Sequence, residues 1–424
     1  MRGMTAAYTS ELAEALSADV LDRLLRYVRI DTQSDRAYVQ SPSTPGQLEL
    51  GRLLVEELRA IGLADAAQDA AGFVTATLPG NADGAPVIGL LAHLDTSPDE
   101  SGTNVEPLVH RNYDGGVIAL PRRGTVLDPA RMPELVPRIG HDLVTTSGDT
   151  LLGADDKAGM AEIMAAVAYL AAHPELPRAT VRVGFTPDEE IGEGAKVFDI
   201  EAFGAACAYT LDGSGVGEFT DETFTASSAD VTIEGVDVHP GFATGKLVNA
   251  ARLAGRLLAA LPPELTPEAT SDREGFIHVY SVEATAGKAT IRTIVRDFDD
   301  EQLAQHVAVL RRTAEEVVAT EPRARVEIDV RHQYPNMRTY LDGHPGVSDA
   351  ALEAIRREGL EPTRIPIRGG TDGSILSARG LPTPNLFTGG HEYHSVREWA
   401  SVQDMAAAAA VAVRLVGVWA ERSG

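Results

Sequence analysis

Val87-Ile88-Gly89-Leu90-Leu91-Ala92-His93-Leu94-Asp95-Thr96 is a short apolar run that ends directly in an imidazole and a carboxylate. A run this short and this continuous, stopped by a polar turn, is the pattern of a strand buried on both faces. Val181–Phe185 and Ala206–Leu211 repeat it, each stopped by Gly, Pro or Asp. Helical faces precede them: Leu21, Leu24, Leu25 and Val28 form one, and Leu50, Leu53, Leu54 and Leu58 another. Helices alternating with buried strands predict an α/β domain built on a mixed, largely parallel sheet flanked by helices.

From about Thr223 the pattern changes. Val231–Ile233 reads as strand, Leu247–Leu261 as helix, Ile277–Val282 and Ala289–Phe298 as strands, Leu303 to Val317 as helix and Val326–Val330 as strand. The order β-α-β-β-α-β is that of a small ferredoxin-like α+β sandwich. After Tyr334 the α/β style returns, with a helix near Val347–Arg357 and strands near Arg364–Ile367 and Thr383–Phe387. The expected organisation is a catalytic domain of residues 1–221 and 336–424, interrupted by an inserted domain of residues 222–335.

Composition narrows the function. The 424 residues carry 37 Lys and Arg against 62 Asp and Glu, a net charge of −25. Phosphate backbones and anionic membrane surfaces require clustered cations, so neither nucleic acid nor membrane is an expected partner. The only lysines are Lys157, Lys196, Lys246 and Lys288. Cys207 is the sole cysteine and sits in an apolar run, which predicts a buried, inert thiol and excludes an internal disulfide or a CxxC site. The N-terminus lacks the apolar core of a signal peptide, and no uninterrupted stretch of 18 apolar residues occurs. A cytoplasmic location follows as the expectation; whether Met1–Gly3 precede a true start at Met4 stays open.

Metal-capable side chains follow the ends of the predicted strands, where ligands bind in open α/β sheets. His93 and Asp95 are two residues apart and so face the same way on an extended backbone. Leu152-Gly153-Ala154-Asp155-Asp156-Lys157-Ala158-Gly159 places two aspartates in a glycine-flanked turn before an apolar helix, where one can cap while the other points outward as a ligand. Pro187-Asp188-Glu189-Glu190 crowds three acids that repel one another unless a cation is present, and adjacent glutamates can divide metal binding from proton handling. Asp212 follows Tyr209-Thr210-Leu211, and His391 and His394 share a loop after Leu386-Phe387. Each feature alone is an ordinary turn. Together, His93, Asp155, Glu190, Asp212 and His394 supply two imidazoles and three carboxylates. One bridging carboxylate then leaves each of two divalent ions one His and one further carboxylate. All-N/O ligation suits Zn, Co or Mn.

The runs His93–Asp99, Leu152–Gly159, Phe185–Gly192 and Gly235-Val236-Asp237-Val238-His239-Pro240-Gly241 closely resemble the tripeptidase branch of the M20 dinuclear zinc peptidases. The resemblance is collinear from about Leu21 to the final helix. It implies two zinc ions per subunit: one on His93 and Asp212, the other on Glu190 and His394, with Asp155 bridging. It further implies that Asp95 orients His93, that Glu189 is the general base and acid, and that a cis peptide follows Asp155. His239 matches a family histidine that stabilises the oxyanion. Arg368, in Arg368-Gly369-Gly370-Thr371-Asp372-Gly373, is the candidate to grip the substrate carboxylate. The implied activity is release of the N-terminal residue from tripeptides with a free amine. The inserted domain would act as a lid and as a homodimer interface.

There are two departures. After His394 the chain reads Ser395-Val396-Arg397-Glu398-Trp399 where many relatives have Gly-Lys/Arg-His-Glu, and His391 replaces a more usual Tyr, which makes it a rival ligand. The competing function is another M20 hydrolase, a dipeptidase or an N-acyl amino acid amidohydrolase, because the same metal cage serves all of them. A non-catalytic metal or peptide receptor would lack Glu189. A nucleotide-dependent oxidoreductase would need a G-x-G-x-x-G turn that is missing.

Overall fold

The structure, a computed structural model, describes residues 8–38 and 40–422. Met1–Gly3, and with them the question of the start, lie outside the described residues. The chain forms two compact units: one of residues up to 221, 340–365 and 371 onward, the other of Glu222–Thr339 and Pro366–Gly370.

In the first unit the three buried runs are strands Ile88–His93, Val181–Thr186 and Cys207–Leu211. They lie side by side in an eight-stranded sheet, with Ile88–His93 parallel to both neighbours and Asn385–Leu386 parallel beyond Cys207–Leu211. Four adjacent parallel strands therefore end on the same edge. Val74–Leu78 runs antiparallel to Val181–Thr186, and Glu218–Thr220 runs antiparallel to Asn385–Leu386, which makes the sheet mixed. Helices Glu11–Tyr27, Ala154–Ala172 and Val402–Glu421 pack on one another. Val402–Glu421 is long and apolar enough to cross a membrane by length and composition, but 83% of that window is buried within the protein, as in a core helix. Cys207 is buried, as its apolar run predicts.

A second sheet in this unit was not foreseen. It joins Gly390–His391, Trp399–Ser401, Leu143–Thr145 and Leu108–His110, all antiparallel. It ties the loop that carries His394 to the segment that leads into Leu152–Gly159.

The second unit is a four-stranded antiparallel sheet in the order Phe276–Ala284, Lys288–Asp297, Thr225–Glu234, Arg325–Tyr334. Helices Ala250–Ala260 and Asp300–Ala319 cover one face through Leu253, Leu257, Leu310 and Ala314, packed on Val231, Ile233 and Ile291. That is the ferredoxin-like order. The strand expected over Arg364–Ile367 is divided: Thr363–Arg364 stays in the first sheet, whereas Ile367 bridges Thr223. Phe224 N donates to Ile367 O at 3.1 Å and Ile367 N to Glu222 O at 3.0 Å, so these bonds hold Pro366–Gly370 in the second unit.

Candidate metal centre

The first unit gathers His93, Asp155, Glu190, Asp212 and His394 at the shared edge of its parallel strands. Asp155 lies between the imidazoles: its Oδ1 is 2.9 Å from His93 Nε2 and its Oδ2 3.3 Å from His394 Nε2. Asp212 Oδ1 is 3.8 Å from His93 Nε2, and Glu190 Oε1 is 2.9 Å from His394 Nε2. The Asp155–Asp156 peptide is cis. His391 is elsewhere, stacked on Trp399 with ring centroids 4.3 Å apart. Burial, with Arg138 nearby, lowers its pKa to about 3, as in a neutral core imidazole.

The turn that presents Asp155 depends on two glycines. Gly153 has φ +80°, a left-handed conformation that side chains disfavour. A Cβ on Gly159 would meet Leu211 O at 1.9 Å, so only glycine lets this helix approach the strand end that carries Asp212. The two aspartates divide as the turn pattern allows. Asp156 Oδ1 accepts from Gly159 N at 3.2 Å and its Oδ2 from His93 N at 3.1 Å, which caps the regular part of the helix. Asp156 also lies within ligand distance of His93 and Asp212, but its oxygens are engaged by these N–H groups.

Both imidazoles are oriented from one loop. His93 Nδ1 contacts Asp95 O at 3.1 Å and Asp95 Oδ1 at 3.3 Å, and His394 Nδ1 lies 3.4 Å from Asp99 Oδ2. An imidazole that donates from Nδ1 presents Nε2 as the ligand atom. Asp95 also accepts from Glu189 N at 2.9 Å and Glu190 N at 3.1 Å, so one buried carboxylate sets His93 and both glutamates. Asp188, at φ +58°, anchors the far side of that turn. Its carboxylate accepts from Ser43 N, Ser41 Oγ and Gln47 Nε2 at 2.9, 3.0 and 2.8 Å. Sequence reasoning missed the roles of Asp99 and Asp188. The signal was present, since both fall inside the quoted motifs, but neither motif says which acid turns inward.

The electrostatics are those of a crowded acidic site. Burial, reinforced by Asp212, Asp372 and Glu190, pushes Glu189 well above the usual carboxylate range. Burial and the neighbouring Asp155 raise Glu190 to about 7, and burial with Asp156 and Asp155 raises Asp212. Burial opposes the charged form of His394, but its contacts with Asp155 and Glu190 outweigh this and hold it at about 11. Asp155 is the exception, held low by the two imidazoles against its own burial.

These side chains suit a divalent cation. Glu190 Oε1 is buried and makes no hydrogen bond to a described residue in spite of its 2.9 Å approach to His394 Nε2. Glu190 also falls with His93 and Asp155 in a group whose ligand atoms all lie within 4.8 Å of one another, as an ion among them requires.

The remaining candidates lie in the second unit. His239 begins the exposed turn Pro240–Phe242, where its Nδ1 accepts from Gly241 N at 3.1 Å. Arg368 donates from Nη1 to Thr270 O at 3.0 Å and from Nη2 to Thr270 Oγ1 and Glu274 O at 2.8 and 2.9 Å. Its guanidinium also lies over Phe224 and Phe276.

The profile of Peptidase family M20/M25/M40 matches residues 150–417, more than half of the chain. The chain belongs to the M20 peptidase family. Among curated M20 relatives, Peptidase T of Shouchella clausii is 48% identical over 409 residues, covering 96% of this chain and all of its own. Peptidase T of Bacillus subtilis is 46% identical over 402 residues, 94% of this chain and 98% of its own. A crystal structure of the aminopeptidase PepT from Bacillus cereus shares the fold at TM-score 0.73 and 24% identity, covering 95% of this chain and 99% of that one. A dinuclear metal-binding M20 peptidase from Bacillus subtilis aligns at TM-score 0.64 and 18% identity, covering 96% and 99%.

Proposed function

We propose that this M20 protein is a tripeptide aminopeptidase that holds two zinc ions, with cobalt or manganese as workable substitutes. The observation that carries the reading is the Asp155 carboxylate, which turns one oxygen to each of the two imidazoles. In the proposed set, His93 and Asp212 hold one ion, Glu190 and His394 the other, and Asp155 bridges. Full-length identity of 45–48% to Peptidase T relatives supports the tripeptidase branch over other M20 hydrolases. When bound, the ion pair supplies Lewis acidity and an acidified water, with a pKa near about 7.

Glu189 carries the proton. Its buried carboxyl group, raised above the usual carboxylate range, is matched to taking a proton from water and returning it to the leaving amine near neutral pH. Asp95 keeps it in place through the Glu189 N–H. His239 is the oxyanion donor in this proposal. Because its Nδ1 accepts from Gly241 N, its proton sits on Nε2, the tautomer such a donor needs. Arg368 would take the substrate carboxylate only by exchanging its bonds to Thr270 and Glu274. In an Arg368→Lys variant that role raises KM for the tripeptide and leaves kcat near normal, whereas unchanged KM removes it. We further propose a cytoplasmic homodimer. The edge strand Phe276–Ala284 of the inserted unit, with Tyr280 and Val282 exposed, supports such pairing, and a monomer in sedimentation would rule it out.

Mass spectrometry of products from a matched di-, tri- and tetrapeptide and an N-acetylated tripeptide tests the activity. Release of only the N-terminal residue, from the free tripeptide alone, is expected. Cleavage of the dipeptide or the acetylated peptide would move the protein to another M20 branch.

A further inference from the structure

Glu398 is almost fully buried, 1% exposed, and belongs to neither of the described side-chain groups compact enough to hold an ion. Its carboxylate instead closes on the turn that presents Asp155. Oε2 accepts from Leu152 N at 2.6 Å and Gly153 N at 2.8 Å, and Oε1 accepts from Asp155 N at 3.1 Å. These N–H groups precede the regular part of helix Ala154–Ala172, where no carbonyl of the helix can receive them. A carboxylate that accepts three N–H groups is a rigid clamp, because each bond fixes a different point of one turn.

Glu398 lies four residues after His394, and that interval is itself braced. Ser395 Oγ donates to Glu392 O at 2.7 Å and accepts from Arg397 N at 3.1 Å, and Glu398 N donates to Ser395 O at 3.1 Å. Glu392 and His394 both hold positive φ, 57° and 58°, a conformation that needs such support in non-glycine residues. On the far side Lys157, 2% exposed, donates from Nζ to Ile30 O at 2.7 Å and holds the start of the helix in place.

From this geometry we infer that Glu398 is a positioning residue that locks the Asp155 turn to the His394 loop and so sets the spacing of the bridging carboxylate and one imidazole. The inference rests on the proposed metal set. It assigns Glu398 no contact with substrate. Removal of the clamp lets Asp155 and His394 move independently, which weakens both ions together because Asp155 is common to them.

The test is metal titration of Glu398→Gln beside the unaltered protein, with the absorption spectrum of the cobalt-loaded form as a second readout. Gln preserves volume but sets an amide donor against a backbone N–H. Affinity for zinc is expected to fall about 10–100-fold, as for other partners that orient ligands, with an altered cobalt spectrum. Glu398→Asp, which keeps the charge but shortens the reach, should fall between and serves if the Gln variant does not fold. Unaltered affinity and spectrum in a folded variant overturn the inference even if its melting temperature drops. Failure of the unaltered protein to bind two ions would instead remove the metal reading itself.

Discussion

At the scale of single residues, the centre separates groups that sequence reading leaves alike. Asp155 and Asp156 are neighbours, yet one faces two imidazoles while the other is used up by backbone N–H groups. Glu189 and Glu190 are neighbours too, and only Glu190 approaches His394. Glu189→Gln should therefore retain the metal content of the unaltered protein while turnover falls about 10²–10⁴-fold, the range for loss of a positioned acid–base group. Metal analysis and tripeptide kinetics on one preparation check this, and near-normal turnover would remove Glu189 from its role. The two histidines of the loop offer a second contrast. His394→Ala should lose bound metal, whereas His391→Ala should keep its full complement and lose stability, because His391 packs on Trp399. Full metal content in the His394 variant would end its assignment as a ligand.

At the scale of elements, legibility followed the length of the buried run. Strands Ile88–His93 and Cys207–Leu211, buried along their whole length, could be read from continuous apolar runs, and so could the metal-capable side chains that follow them. Strands Leu108–His110, Gly390–His391 and Trp399–Ser401 are two or three residues long, too short for any hydrophobic period to register. That is why the second sheet, and the clamp it carries at Glu398, stayed hidden. Helix Ala154–Ala172 hides another feature. It is buried on nearly every face, and Glu162 lies at its centre, fully buried, with neither carboxylate oxygen hydrogen-bonded to a described residue. Burial, reinforced by the charge of Asp404, raises the Glu162 pKa well above its ordinary value. Such a group leaves stability intact below the unfolded pKa of about 4.3 and erodes it as pH rises toward the folded value, because only the unfolded chain gives up the proton. Glu162→Gln should thus melt higher than the unaltered protein at pH 8, by roughly 1–2 °C for each 1 kcal/mol recovered, and at the same temperature at pH 4. Calorimetry at the two pH values checks it, and a gain that persists at pH 4 would point to some cause other than ionisation.

At the scale of the whole molecule, a net charge of −25 is spread over two units with separate cores, and the densest knot of acid lies in the first. Cations that bind only the folded protein stabilise it in proportion to their occupancy, about 2.7 kcal/mol at a free concentration 100 times the dissociation constant. Chelation should accordingly lower the melting temperature by several degrees and zinc should restore it, whereas identical melting with and without chelator would mean that the native state holds no ion. The order of the proposed ligands along the chain has a further consequence. They begin at residue 93 and end at residue 394, with Glu398 just beyond, so the first and last are about 300 residues apart. At a synthesis rate of roughly 5–20 residues per second, some 15–60 s separate their emergence from the ribosome. On the proposed ligand set, a chain interrupted before residue 394 has no second imidazole to offer, so the product of a message truncated short of it should stay inert.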